Sequence, residues 1–205
     1  MALALQKEAA ARVAAGGPEE LYLLEHEPVY TLGRNATEAD ILFTPERCLE
    51  LGIAVRETDR GGKVTYHGPG QLVGYPILNL SPDRRDVKRY VTDLEEVLIR
   101  TLADFGISAA RSELAARVTS VWIGNDKIAA IGVHISRWVT THGFALNVTD
   151  EPLGPFRGIV PCGIADGGVT SMESCLGQAP ALDSVVARLA LRFAEVFDRE
   201  IMGVS

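Results

Sequence analysis

Few residues in this chain can carry covalent chemistry: three cysteines, Cys48, Cys162 and Cys175, and four histidines, His26, His67, His134 and His142. Cys162 stands apart because Pro161 precedes it and Gly163 follows, a tight non-helical setting in which neighbouring amides can point at an incoming carbonyl. That is the setting of a thiol nucleophile. A cysteine at its ordinary pKa of roughly 8.5 is only a few per cent thiolate at neutral pH, so nucleophilic use calls for a nearby cation or base. Lys127, His67 and His134 are the candidates. Taken alone, Lys127 opens a strand directly after a turn, where a lysine usually faces solvent, and His134 reads as a hydrogen-bonded strand histidine. Cys48 reads as a small core residue of a short helix, and Cys175, His26 and His142 read as structural.

The densest functional signal is the stretch Arg60 to Leu80, RGGKVTYHGPGQLVGYPILNL. Gly61, Gly62, Gly68 and Gly70 stand on either side of the strand-like run Lys63 to Tyr66, so the backbone can turn tightly or be approached closely at two places. Arg60, Lys63, Thr65, Tyr66, His67, Gln71 and Tyr75 supply donors and an imidazole beside the apolar run Leu72 to Leu80. Polar groups next to a buried strand predict a pocket wall.

The elements that must position these groups are legible from period and punctuation. Residues 2 to 15 read as a helix stopped by Gly16 and Gly17. Leu21 to His26 and Val29 to Leu32 read as short strands. Pro45 opens a short helix in which Cys48, Leu49 and Leu51 alternate with polar residues. Ile53 to Val55, Lys63 to Tyr66 and Leu72 to Leu80 are the next strands. Ser81 or Asp83 caps a long helix to Phe105, with Val87, Tyr90, Val91, Leu94, Leu98 and Leu102 at three- and four-residue steps. Its first turns carry Arg84, Arg85, Lys88 and Arg89, either a solvated face or a docking patch for an acidic partner. Val118 to Ile123, Lys127 to Ser136 and Trp138 to Val148 read as a strand meander with a turn at Gly124 to Asp126. Leu182 to Phe197 closes the chain with a one-striped helix.

The 205 residues are 47% hydrophobic with no Pro/Gly/Ser-rich linker, which predicts one compact α/β (α+β) domain over 1–205. A net charge of -7 argues against a general nucleic-acid or anionic-membrane surface. No apolar run reaches the roughly 20 residues that span a bilayer, and the first helix lacks a signal-peptide core. The expected location is the cytoplasm, with no membrane partner. Three cysteines without a C-x-x-C pair and four histidines without H-E-x-x-H predict neither a disulfide framework nor a metal, and no cofactor is expected.

The order of residues in the glycine-rich stretch resembles the signature of the lipoyl(octanoyl) transferases, roughly R-G-G-x-x-T-aromatic-H-x-x-G-Q-x-x-x-Y. Arg60, Gly61, Gly62, Thr65, Tyr66, His67, Gly70, Gln71 and Tyr75 fall on it. Two further blocks resemble the same family: K-I-A-x-x-G at Lys127 to Gly132 and I-x-P-C-G at Ile159 to Gly163. The resemblance implies a mixed β-sheet flanked by helices, the fold of biotin and lipoate ligase catalytic domains. It implies a Cys/Lys dyad in which Cys162 takes an octanoyl group from the thioester of an acyl carrier protein and Lys127 lowers the thiol's pKa and shuttles the proton. The acceptors would be lysines of lipoyl domains of 2-oxoacid dehydrogenase complexes and of the glycine cleavage H protein. It also implies that the acyl chain lies against Arg60, Gly61, Gly62, Lys63, Val64, Thr65, Tyr66 and His67, against Ala130, Ile131 and Gly132, and against Gly143, Phe144 and Ala145. His67 and Tyr75 would orient the site or hold the developing oxyanion, with His134 nearby.

Two other readings compete. An ATP-using lipoate or biotin ligase on the same fold would need a nucleotide loop of the G-R-G-R type, of which only the isolated Gly33, Arg34 is present, and no P-loop occurs. A non-catalytic module that sequesters acyl or lipoyl carriers would bind without transfer.

Overall fold

The computed structural model describes residues 2–111, 119–160 and 168–203. The segment carrying Cys162, and Val118 at the expected start of a strand, lie outside the described residues. Among the described residues the larger sheet runs in the order β1 (Glu20–Leu24), β5 (Gln71–Ile77), β9 (Val139–Asn147), β8 (Asp126–Ser136), β7 (Ser120–Ile123) and β6 (Ala110–Arg111). These neighbours are antiparallel, and β10 (Gly168–Val169) adds a parallel pairing to β8, which makes the sheet mixed. A second, three-stranded sheet has the order β3 (Ala54–Glu57), β2 (Val29–Leu32), β4 (Val64–His67).

Five helices accompany these strands among the described residues: α1 (Ala2–Ala14), α2 (Pro45–Glu50), α3 (Val87–Asp104), α4 (Met172–Leu176) and α5 (Leu182–Phe197). The apolar stripes of α3 and α5 decide one face of the large sheet. Tyr90, Leu94, Leu98 and Leu102 of α3 and Val185, Leu189, Phe193 and Phe197 of α5 form one cluster with Leu72, Ile128, Phe144 and Leu146 from the strands. The period of two along β5 and β9 sends Val73, Tyr75, Ile77 and Ala145 to the opposite face, where Ala9 and Val13 of α1 cover part of it. A third cluster, with Tyr30, Tyr66, Cys48 and Phe156, fills the small sheet.

Several boundaries differ from the expectation. The long helix starts at Val87 and not after Ser81 or Asp83, because Asp86 is its cap, its carboxylate accepting the Arg89 N–H at 3.0 Å. The one apolar residue among 81–86, Pro82, is exposed, so no apolar burial holds another turn there. β5 ends at Ile77; beyond it the Leu78 N–H is taken by the Thr140 hydroxyl at 2.8 Å. In α2 only Cys48 turns inward, while Leu49 is 82% exposed. The β8–β9 connection is a two-residue turn, Arg137 and Trp138, both at positive φ (49° and 67°), the handedness that a tight hairpin needs.

Of the basic cluster, Arg84 turns inward. It pairs with Asp93 at 2.7 Å, donates to the Val196 and Phe197 carbonyls at the end of α5, and lies over the Phe197 ring. Arg85 bonds the Ser81 hydroxyl and faces Trp138.

Candidate active site

A cavity of about 550 Å³ lies against the face of the large sheet that α3 and α5 leave uncovered, bounded on its other sides by the small sheet, the loop before β4 and the start of α1. Its floor is one row across three strands. Val73, Ala145 and Ala130 are register partners on β5, β9 and β8, and all three line the cavity. Alternation along each strand puts small apolar side chains on this face and Phe144 and Leu146 on the other. The result is a smooth apolar surface in a space typical of small-ligand pockets.

The glycine-rich loop docks on this floor through backbone. The Gly61 N–H donates to the Val133 carbonyl at 3.0 Å, and a Cβ on Gly132 would come within 3.0 Å of the Gly61 carbonyl oxygen. Gly62 adopts φ +87°, which lets the chain turn back into β4. Arg60 anchors the loop from inside: its guanidinium donates to the Thr31 carbonyl at 2.5 Å and to the Gly61 carbonyl at 3.0 Å. The loop is thereby tied both to the small sheet and to β8.

Lys127, the second residue of β8, is buried at 7% exposure and lines the cavity. A lysine there contradicts the surface role that its position after a turn suggests. Its ammonium stands 5.3 Å from the centroid of the Trp122 ring, whose indole N–H is taken by the Ser120 hydroxyl at 2.8 Å. The Lys127 carbonyl accepts the Thr170 N–H at 3.0 Å, and Val169 is its register partner on β10.

Three histidines also reach the cavity: His67 from the end of β4, His26 from the connection before β2, and His142 from β9. Burial pushes the His67 pKa down to about 3 and lowers those of His26 and His142. For His142 the bond to the Asp59 carboxylate, 2.7 Å from its Nε2, offsets burial only in part. Tyr75, whose hydroxyl is 2.6 Å from His26 Nε2, is pushed up to about 12 by burial. The imidazoles are therefore neutral at pH 7, and the wall they form is polar without being charged.

Of the residues singled out from sequence, Arg60, Gly61, Gly62, Val64, Thr65, His67, Tyr75, Lys127, Ala130, Ile131, Gly132, Gly143, Phe144 and Ala145 all border this one space, although Ile131 and Phe144 also belong to the cluster on the opposite face. Three do not. Lys63 extends to Asp40, with 3.6 Å between its ammonium and the carboxylate. Tyr66 packs edge-on between Tyr30 and Phe156 in the small-sheet cluster, because alternation on β4 points it away. His134 lies on a neighbouring surface groove, its Nδ1 2.7 Å from Arg34. Conversely, His26 and His142 border the cavity although spacing gave them structural roles, and Asp59 and Asn147 carried no sequence signal because their partners lie 83 and 76 positions away.

Among the described residues, then, a buried lysine borders an apolar cavity walled by glycine backbone, on a mixed sheet carrying helices. The lipoyl protein ligase A/B catalytic domain family matches residues 1–194, and the chain belongs to that family. It is 49% identical over 201 residues to an octanoyltransferase of Geobacter metallireducens, covering 98% of this chain and 89% of the relative. It is 50% identical over 202 residues to an octanoyltransferase of Solibacter usitatus, again covering 98% and 89%. Among solved structures, a lipoate-protein ligase A with bound ATP superposes with a TM-score of 0.81 at 18% identity, over 98% of this chain and 82% of that one. The fold is that of the lipoate and biotin ligase catalytic domains.

Proposed function

We propose that the chain, acting as one catalytic unit in the cytoplasm, is an octanoyltransferase of protein lipoylation. It moves an octanoyl group from the thioester of an acyl carrier protein to Cys162 and then to a lysine of a lipoyl domain, including those of 2-oxoacid dehydrogenase complexes and the glycine cleavage H protein. The observation that carries this reading is the buried Lys127 on the wall of an apolar cavity floored by Val73, Ala145 and Ala130.

An ammonium held against an apolar wall stabilises a nearby thiolate and can later give up its proton. In the first half-reaction the Cys162 thiolate attacks the carrier thioester, the carbon–sulfur bond to the carrier breaks, and the departing thiolate takes the proton held by Lys127. In the second, the neutral amine of the acceptor lysine attacks acyl-Cys162, an amide forms, and the amine's proton passes through Lys127 to restore the resting dyad. Exchange of thioester for thioester is nearly balanced; amide formation drives the sequence. Connectivity supports a Cys162–Lys127 pairing: Val169, seven positions after Cys162, is the register partner of Lys127, a tether of at most about 25 Å. The six methylenes of an octanoyl chain would gain ~5 kcal/mol from burial on the small-residue floor.

The test is trapping. Incubation with octanoyl carrier protein and no ATP should add one octanoyl mass to the protein, and Cys162→Ser should abolish the stable thioester. An unchanged transfer rate in that variant would overturn the covalent route, and a strict requirement for ATP and free octanoate would replace it with ligase chemistry.

A further inference from the structure

A buried hydrogen-bond relay that the transfer chemistry above does not use runs beside the cavity floor, on the same face of the large sheet, where Gln71 and Asn147 are register partners. The Asn147 amide donates from Nδ2 to the Thr170 carbonyl at 2.9 Å. A backbone carbonyl can only accept, so this contact fixes which end of the Asn147 amide is nitrogen. Its other end, Oδ1, must accept, and it takes Gln71 Nε2 at 2.9 Å. The Gln71 amide is thereby fixed too, and its Oε1 faces His67 Nδ1 at 2.7 Å. An amide oxygen cannot donate, so the Nδ1 nitrogen carries the hydrogen. The neutral ring has only one, and Nε2 is left with a bare lone pair.

Two features make that lone pair useful. His67 is nine-tenths buried and lines the cavity, and among the described residues its Nε2 has no hydrogen-bond partner. Burial opposes protonation most strongly; the Gln71 hydrogen bond favours it, and Arg60 from the loop before β4, His26 from the connection before β2 and His142 from β9 oppose it, with the net shift downward. Nε2 is therefore an acceptor that does not become a donor near neutral pH. Of the groups that the reaction brings into the cavity, the acyl chain has no donor and the departing carrier sulfur gains only a weak S–H when it takes the Lys127 proton, whereas the acceptor lysine amine carries strong donors. It must present its lone pair to the thioester carbon, and its N–H groups then need a fixed acceptor.

We propose that Gln71 and Asn147 are positioning residues that lock His67 in its Nδ1–H form, and that His67 Nε2 accepts an N–H of the incoming lysine amine during transfer from acyl-Cys162. The inference rests on the octanoyl transfer proposed above. The imidazole takes no proton. It holds the amine with its lone pair aimed at the carbonyl, and the proton leaves by Lys127 as before. The far end of the relay meets Thr170, whose carbonyl takes the Asn147 amide and whose N–H is bonded to the Lys127 carbonyl, so the amine's acceptor and the proton carrier are linked through one residue.

Nitrogen-15 NMR of histidine-labelled protein, with the His67 signal identified by its loss in His67→Asn, should show a neutral ring protonated at Nδ1 that does not titrate between pH 8 and 5. A ring protonated at Nε2, or a midpoint near 6.5, overturns the proposal. The kinetic arm is Gln71→Glu, whose carboxylate would draw a second proton onto His67 and turn Nε2 into a donor. Starting from preloaded acyl-enzyme, transfer to a lipoyl domain by this variant should fall at least tenfold more between pH 8 and 6 than transfer by the unsubstituted protein. Parallel pH profiles, the result of a purely structural role, overturn the proposal. If the unsubstituted protein never becomes acylated by octanoyl carrier protein, the transfer reading itself fails. Acylation with the wrong tautomer removes the relay alone.

Discussion

Placing Leu at position 145 would test whether the row Val73, Ala145, Ala130 is the surface along which the acyl chain lies. Ala145 is buried, its side chain is on the cavity face of β9, and its register partners on both sides are cavity residues. Leucine adds three carbons to that face, about the volume of three methylenes of a bound chain. If these are lost from the buried length of an octanoyl group at ~0.8 kcal/mol each, octanoyl binding weakens by about 2.4 kcal/mol, roughly 50-fold. A butyryl group, too short to reach the filled region, should lose far less. The assay is kcat/KM for C4, C6 and C8 thioesters with one acceptor domain. Comparing chain lengths within the same variant cancels any loss of folded protein, so a fall in the C8:C4 ratio by roughly 50-fold is the expected result. An equal loss at all three lengths, or an unchanged C8:C4 ratio, would refute the reasoning and move the chain to another wall.

Lys127→Met keeps the buried stem and removes the ammonium, and should slow transfer by ~10²- to 10⁴-fold with little change in thermal stability. Lys127→Arg should not restore the rate, because guanidinium does not release its proton near neutral pH; recovery by arginine would rule out a proton carrier there. Stability should also depend on pH with a definite sign. His67 is held near 3 in the folded state against roughly 6.5 when unfolded, so the unfolded chain binds the extra proton first on acidification. Stability from this group is complete above about pH 6.5 and drops as pH falls toward 3, by about 2 kcal/mol at pH 5. His26 and His142 act in the same direction. Urea midpoints at pH 7.5 and 5 in the unsubstituted protein and in His67→Asn read the difference; a loss on acidification that is just as large in the variant would exclude His67 as its source.

Much of the architecture was legible because the signals are local. Apolar residues at three- and four-residue steps gave α5 over the span observed, and the stop at Gly16, where φ is +88°, closed α1. Spacing also singled out the stretch from Arg60 to Tyr75, and most of those side chains do border one cavity. Errors fell where a boundary depends on a distant partner. The extra turns expected before Val87 are absent because Asp86 caps the helix, and Arg84, from a cluster that charge alone made a solvated face or a docking patch, reaches the end of α5. Tyr66 and His134 came from the right segments, but alternation on β4 turned Tyr66 away from the cavity, and His134, on the same face of β8 as Ala130 and Gly132, lies further along the strand in a groove beside α1.

The order of residue types along the chain was enough to place α1, α2, α3 and α5, though not α4 or the start of α3, together with the strand meander, the family and the glycines that let a loop lie flat on a strand. It did so because period, caps and turn chemistry act over a few residues. Only the tertiary structure decided that Lys127 is buried, that Val73, Ala145 and Ala130 form one floor, and that Asn147 sets the hydrogen on His67 through Gln71. Those facts depend on which strands become neighbours and in what register. Sheet pairing brings together residues dozens of positions apart, and burial then changes the charge and hydrogen-bonding state that each side chain would have in water.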